Sequence, residues 1–221
     1  LTLEIKVAIK EYMPSALATR HPDHYSVALT GRVEEDYQYG MERFLDEAKI
    51  LAKLQNTPHI VSVQNYFKEN GTAYFVMEYI DGMSLKAYLA KNGDKIPYNQ
   101  AIAILQPIME ALVQVHALNL LHRDISPDNI MVRPDGRLIL LDLGAAKDLD
   151  IQGRDSNVQS SQMVAKHGFS PVVQYGQAGK IGPWTDVYAM AATIYYCCTG
   201  VLPPSATDRM IEDTLTCRPR L

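Results

Sequence analysis

The chain has few of the features that would mark it as something other than an ordinary globular protein. Only three of its 221 residues are cysteine, and Cys197 and Cys198 are adjacent inside an apolar run. An odd count in that arrangement gives no disulfide framework and suits a reducing compartment, so a cytoplasmic location is expected. There is one tryptophan and only four phenylalanines. Positive charge is not in excess: 21 Lys and Arg stand against 25 Asp and Glu, a net charge of −4. No basic surface recommends nucleic acid as a partner. The longest apolar stretch, Val187 to Leu202, is interrupted by Thr193, Thr199 and Gly200. It falls short of the ~20 residues a bilayer span needs, and reads as a buried helix. No signal peptide is visible, and any membrane anchor of the parent protein would lie outside residues 1–221.

What is present is 47% hydrophobic and 21% charged. That composition excludes disorder, collagen and coiled coil, and gives one large domain or two small lobes. Ile5, Val7 and Ile9 alternate with Lys6, Ala8 and Lys10, which predicts a strand with one apolar face and one face carrying lysines. Residues 14–40 show no sustained period and read as an irregular insertion. From Glu42 to Leu54 a helix is expected, with Phe44, Glu47, Leu51 and Leu54 on one face. Two strands, Ile60–Phe67 and Ala73–Ile80, flank Asn70-Gly71, a hairpin signal. After Asp81-Gly82 the pattern turns helical: Leu85–Ala90, Tyr98–Leu118 and Thr185–Thr199, with short buried strands at Ile130–Val132 and Leu138–Leu141. Residues 147–170 read as a polar loop.

The segment richest in chemistry is His122-Arg123-Asp124-Ile125-Ser126-Pro127-Asp128-Asn129. An Asp and an Asn lie five apart on a loop before a strand. Thirteen residues later another strand ends in Asp142-Leu143-Gly144. Carboxylate and amide oxygens are hard donors that suit Mg²⁺, and a further carboxylate can take a proton from an attacking hydroxyl. Upstream, Glu47 sits on a helix face where an unpaired carboxylate would be costly, and a lysine of the sheet is its natural partner.

Together these residues resemble the protein kinases, most closely the bacterial serine/threonine kinases of eukaryotic type. The match runs from Val7-Ala8-Ile9-Lys10 through the 122–129 loop and Asp142-Leu143-Gly144 to Gly182-Pro183-Trp184-Thr185-Asp186-Val187-Tyr188. It implies an α+β, bilobal fold: a small antiparallel-sheet N-lobe with one main helix over residues 1–80, and a larger helical C-lobe over 81–221. It implies ATP and Mg²⁺ as cofactors and a protein hydroxyl as acceptor. Asp124 becomes the catalytic base, and Asn129 and Asp142 the metal ligands. Lys10 becomes the phosphate-gripping lysine and Glu47 its orienting partner. Met77 becomes the gatekeeper, with the backbone of Glu78 and Ile80 on adenine, and Ala8 and Met131 on either side of the purine. Asp186 is expected to brace the 122–129 loop from below.

The departures from the family pattern are specific. Only nine residues precede Lys10 and none of them forms a Gly-x-Gly-x-x-Gly loop, so the chain is expected to be a segment of a longer one, incomplete at both ends. Ser126 stands where most serine/threonine kinases carry a lysine that helps hold the γ-phosphate. Leu143 replaces a phenylalanine, and Val173 takes the place of a glutamate. Two other readings remain: a small-molecule phosphotransferase of the same fold, and an impaired nucleotide-binding scaffold. The long 145–188 stretch favours a protein acceptor over a small one.

Overall fold

The computed structural model describes residues 4–141, 147–148, 165–175 and 181–215. Contacts divide the chain into two compact units, Leu1–Asn56 with Val61–Ile80, and Thr57–Ile60 with Asp81–Leu221.

The first unit is built on an antiparallel sheet of strands β1 (Val7–Glu11), β4 (Val63–Glu69) and β5 (Thr72–Glu78), in the order β1-β5-β4. Asn70 and Gly71, both at positive φ, make the tight turn between β4 and β5. Helix α1 (Glu34–Lys53) packs across β4 and β5. Its buried positions Tyr37, Met41, Phe44, Ala48 and Leu51 recur at steps of three and four, so one stripe faces the sheet. Glu34, Glu35 and Asp36 fill its first turn, where carboxylates offset the exposed N–H groups.

One sequence expectation is corrected here. Residues 14–40 are not irregular throughout. They hold a small hairpin, β2 (Ala18–Arg20) and β3 (Val27–Leu29), and the first turns of α1, which starts eight residues before the expected Glu42. Arg20 ties the hairpin to β1 by donating from Nη1 to Glu11 Oε1 at 2.9 Å. The faces of β1 are sorted by packing, which the alternation leaves open. Its alternation is real, but the apolar side, with Ile9 59% exposed, is the outer one. The half-buried side carries Ala8 and Lys10, because that side meets α1 and Phe75.

Gly40 lies in the middle of α1, where glycine costs a helix about 1 kcal/mol relative to alanine. The reason is Tyr12: a Cβ at Gly40 would run into the Tyr12 hydroxyl. The Tyr12 ring is wedged between Tyr37 and Phe44, with centroids 5.1 and 5.7 Å away.

The second unit is mainly helical. Helix α2 (Leu85–Lys91) is capped by the Ser84 side chain, which accepts from Ala87 N–H. Helix α3 (Tyr98–Ala117) packs against α4 (Pro183–Thr199). Leu105, Ile108 and Cys197 are sealed in the core between them. Gly182-Pro183 starts α4, with proline where an N–H would go unpaired, and Gly200 ends it at φ 70°. Strands β6 (Met83–Ser84), β8 (Ile130–Val132) and β9 (Leu138–Leu140) form a small sheet, and β7 (Leu120–Leu121) pairs with β10 (Lys147–Asp148). A short helix, α5 (Ala206–Ile211), is capped by Ser205. Among the described residues no helix is long and apolar enough to cross a membrane.

Gly40→Ala is expected to lower stability by about 1–3 kcal/mol through overpacking against Tyr12, against the helix propensity that favours alanine. Chemical denaturation of Gly40→Ala and of Gly40→Ala with Tyr12→Phe checks it: the second change should recover part of the loss, because it removes the clashing hydroxyl.

Candidate active site

In the first unit, β1 and α1 bring Lys10 and Glu47 together. The Lys10 ammonium donates to Glu47 Oε1 at 3.0 Å, and the Glu47 side chain is only 11% exposed. Lys10 Nζ also lies 5.4 Å from the centre of the Phe75 ring, whose face is negative. Phe75 in turn packs on Phe44 of the helix at 4.9 Å. The lysine is therefore held over the sheet by a charge partner on one side and a ring on the other. Register places Ala8 opposite Met77 and Lys10 opposite Phe75, so Ala8, Lys10, Met77 and Phe75 share one face of the sheet. The Glu78 N–H donates to Ser62 O at 3.0 Å. Any backbone contact of Glu78 with a base must then use its carbonyl. Ile80 is buried at the end of this unit.

In the second unit the 122–129 loop is fixed from several directions. Ile125 and Ile130 anchor it in the core, both fully buried. Asp186, at the first turn of α4, is fully buried beneath it. Its Oδ2 accepts from the His122 N–H at 2.9 Å and its Oδ1 from the Arg123 N–H at 2.8 Å. His116 Nε2 of α3 lies 2.8 Å from Oδ2. Burial pushes the Asp186 carboxyl up, but the hydrogen bond from His116 and those from the loop's N–H groups outweigh it, and the group sits below the ordinary carboxylate range. Arg123 is held at φ 66°, the left-handed region that a side chain adopts only at a cost. Its carbonyl accepts from Gln174 Nε2 at 2.9 Å. His122 packs structurally: its Nε2 is 2.9 Å from Leu141 O, and its Nδ1 accepts from the Asp124 N–H at 3.3 Å.

Asp124 and Asn129 meet on this loop. Asn129 Nδ2 donates to Asp124 Oδ2 at 2.7 Å and to the Asp124 carbonyl at 2.8 Å. Asp124 Oδ1 is buried and, among the described residues, has no hydrogen-bond partner. A buried carboxylate oxygen without a donor is costly to keep, and is what a proton acceptor awaiting a hydroxyl requires. With its nitrogen spent on Asp124, the Asn129 side chain has its amide oxygen to offer, a donor of the type Mg²⁺ takes. Asp142, the other expected metal ligand, lies outside the described residues. Among the described residues no group of three or more His, Cys, Asp or Glu could hold a metal ion. Met131, on β8 opposite Ile139, is half-buried. One cavity in this unit, 430 Å³ and lined by Met83, Tyr88, Ile104 and Val132 among others, contains none of the expected catalytic residues.

Three contributors were not anticipated. His116 reaches Asp186, and Gln174 the loop, only through tertiary packing, and neither has a local sequence signal. Lys166 donates to Ser126 Oγ at 2.7 Å from forty residues downstream.

A family model of the protein kinase domain matches residues 18–219. The chain belongs to the protein kinase domain family. A probable serine/threonine-protein kinase of Clostridium perfringens is 34% identical over 165 residues, covering 74% of this chain and 23% of that protein. The serine/threonine-protein kinase PrkC of Bacillus subtilis is 31% identical, covering 74% of this chain and 24% of its own. Among solved structures, "PpkA-294 apo form" superimposes with a TM-score of 0.77 at 34% identity, covering 95% of this chain and 72% of that one. The fold is thus that of the protein kinases, α+β, and its relatives are bacterial serine/threonine kinases. The chain spans about a quarter of the length of these curated relatives.

The Asp186 brace makes a prediction about acid. A carboxyl held below its unfolded-state value contributes stability that is complete above that value, ~4, and is lost as pH falls through the lower folded value. Asp186→Asn should therefore lower unfolding free energy at neutral pH and show a shallower loss of stability below pH ~4 than the wild-type protein. Denaturant unfolding across pH 3–7 reads both.

Proposed function

We propose that the protein is an ATP-dependent serine/threonine protein kinase that transfers the γ-phosphoryl group of Mg-ATP to a protein hydroxyl. The observation that carries this reading is the Asp124–Asn129 pair on a loop braced by Asp186, with one carboxylate oxygen that has no partner among the described residues. Asp124 would accept the proton of the attacking hydroxyl at Oδ1, while Asn129 orients Oδ2. In the first unit Lys10, kept in place by Glu47, would grip the α- and β-phosphates. Ala8, Met77, the Glu78 carbonyl and the backbone of Ile80 would receive the adenine from that unit, and Met131 would contact it from the second. Asn129 and Asp142 would hold Mg²⁺. When bound, Mg²⁺ neutralises charge on the β- and γ-phosphates. The protein forms no covalent bond to the phosphoryl group in this scheme; its work is positioning and charge stabilisation.

Partners are then ATP and a protein substrate. A reducing, cytoplasmic setting suits Cys197 and Cys198, both free thiols. Burial pushes the Cys197 thiol up to about 12, which makes it unreactive. The scaffold reading is disfavoured by the Asp124 oxygen that has no partner among the described residues, which nucleotide binding alone does not require.

Asp124→Asn should lower kcat by about 10²–10⁴ with KM for ATP nearly unchanged, because it removes a proton acceptor and not a phosphate ligand. Transfer from radiolabelled ATP to a basic acceptor protein, with Mg²⁺, measures it. Undiminished turnover in the variant would refute the base assignment. Glu47→Gln should instead raise KM for ATP and lower kcat together, as Lys10 loses its orienting charge.

A further inference from the structure

Ser126 poses a problem for the kinase reading. It lies two residues after Asp124, where the family resemblance leads one to expect a lysine for the γ-phosphate. The structure brings a lysine onto Ser126 all the same, from a different part of the chain. Lys166 Nζ donates to the fully buried Ser126 Oγ at 2.7 Å. It lies 3.4 Å from Asp128 Oδ2. The other oxygen of Asp128 takes the Lys86 ammonium at 3.2 Å, so one carboxylate faces two lysines.

Lys166 is also rooted firmly. Its N–H donates to Ser170 Oγ at 2.8 Å, and its carbonyl accepts from the N–H groups of Phe169 and Ser170 at 3.0 and 2.9 Å. Phe169 and Ser170 are buried. The segment is pinned a second time where Gln174 holds the Arg123 carbonyl. The side chain remains 29% exposed. An ammonium has three donors; among the described residues Ser126 accepts from one and Asp128 faces the group as an ion pair, which leaves capacity for an anion.

We propose that Lys166 supplies the phosphate-stabilising cation that kinases of this family carry at position 126, the charge having moved from the catalytic loop to the 165–175 segment. The proposal rests on the kinase reading above. In the transfer step the acceptor oxygen bonds to the γ-phosphorus and the bond to the β,γ-bridging oxygen breaks. ADP leaves with that electron pair, and Asp124 takes the hydroxyl proton. Lys166 makes and breaks no bond, and stabilises the charge on the transferring oxygens. Ser126 becomes a seat for the ammonium: small enough to admit it and able to accept from it. Delivery of the cation then depends on the seating of the 165–175 segment, which a lysine on the catalytic loop would not require.

The competing role is a strut that merely joins two segments. Lys166→Gln keeps an N–H donor for Ser126 and drops the charge, which separates the two. In the full-length protein, with Mg²⁺, ATP and a basic acceptor protein, Lys166→Gln should lower kcat by about 10²-fold while KM for ATP and the thermal midpoint stay near wild type. Lys166→Arg, which keeps the charge, should remain within about tenfold. Adding Ser126→Lys to Lys166→Gln should recover most of the loss. Wild-type turnover in Lys166→Gln, an equal loss in Lys166→Arg, or no recovery from the added Ser126→Lys in a folded protein would each overturn the proposal. Absence of transfer by the wild-type protein would overturn the kinase reading itself, and is read from a separate lane of the same assay.

Discussion

The buried carboxylate of Asp186 is the constraint on which the rest of the site depends. It sits at the first turn of α4 and takes two successive N–H groups of the 122–129 loop, with His116 of α3 completing the cluster. Without it, Arg123 would keep only the Gln174 bond to its carbonyl against a left-handed conformation that costs roughly 1–3 kcal/mol, and the direction of Asp124 would loosen. Leaving the loop amides unpaired in the core would cost about as much again per group. A helix, a second helix and a loop are thus made mutually dependent by one side chain. The Asn129 amide then fixes one oxygen of Asp124, while the other has no partner among the described residues.

Charge in this protein is placed by pairing rather than by bulk. The net charge is small and negative, yet each cation expected to handle phosphate has a designated partner. Lys10 has Glu47 and the Phe75 ring; Lys166 has Ser126 and a shared Asp128. Partners of this kind hold an ammonium in a narrow range of positions before substrate arrives, and such preorganisation is where electrostatic catalysis gains most. The arrangement also distributes responsibility: Lys10 depends on α1, and Lys166 on the 165–175 segment.

Much of this was legible in the sequence where the signal is local. The Val7–Lys10 alternation, the apolar stripe around Glu47 and the Asp124-to-Asn129 spacing each depend on residues within a turn or two. The early start of α1 was missed: Tyr37 and Met41 continue the stripe of Phe44 and Leu51 backwards, but Gly40 interrupts the pattern and hides it. The burial of the Ala8–Lys10 face was not legible, since alternation marks two faces without saying which one a helix will cover. Nor was Lys166, whose role exists only because a distant segment folds back onto Ser126. The serine itself read as a loss, and only the tertiary contact shows what fills its place.

The central claim is that this chain moves phosphate from ATP onto a protein hydroxyl. It is tested most directly by incubating the full-length protein with Mg-ATP and a mixture of a basic acceptor protein, choline and an aminoglycoside, and locating the product phosphate by mass spectrometry. The account predicts phosphoserine or phosphothreonine on protein, with both small molecules unmodified. Phosphate found only on a small molecule, or nucleotide binding without transfer to any acceptor, would contradict it.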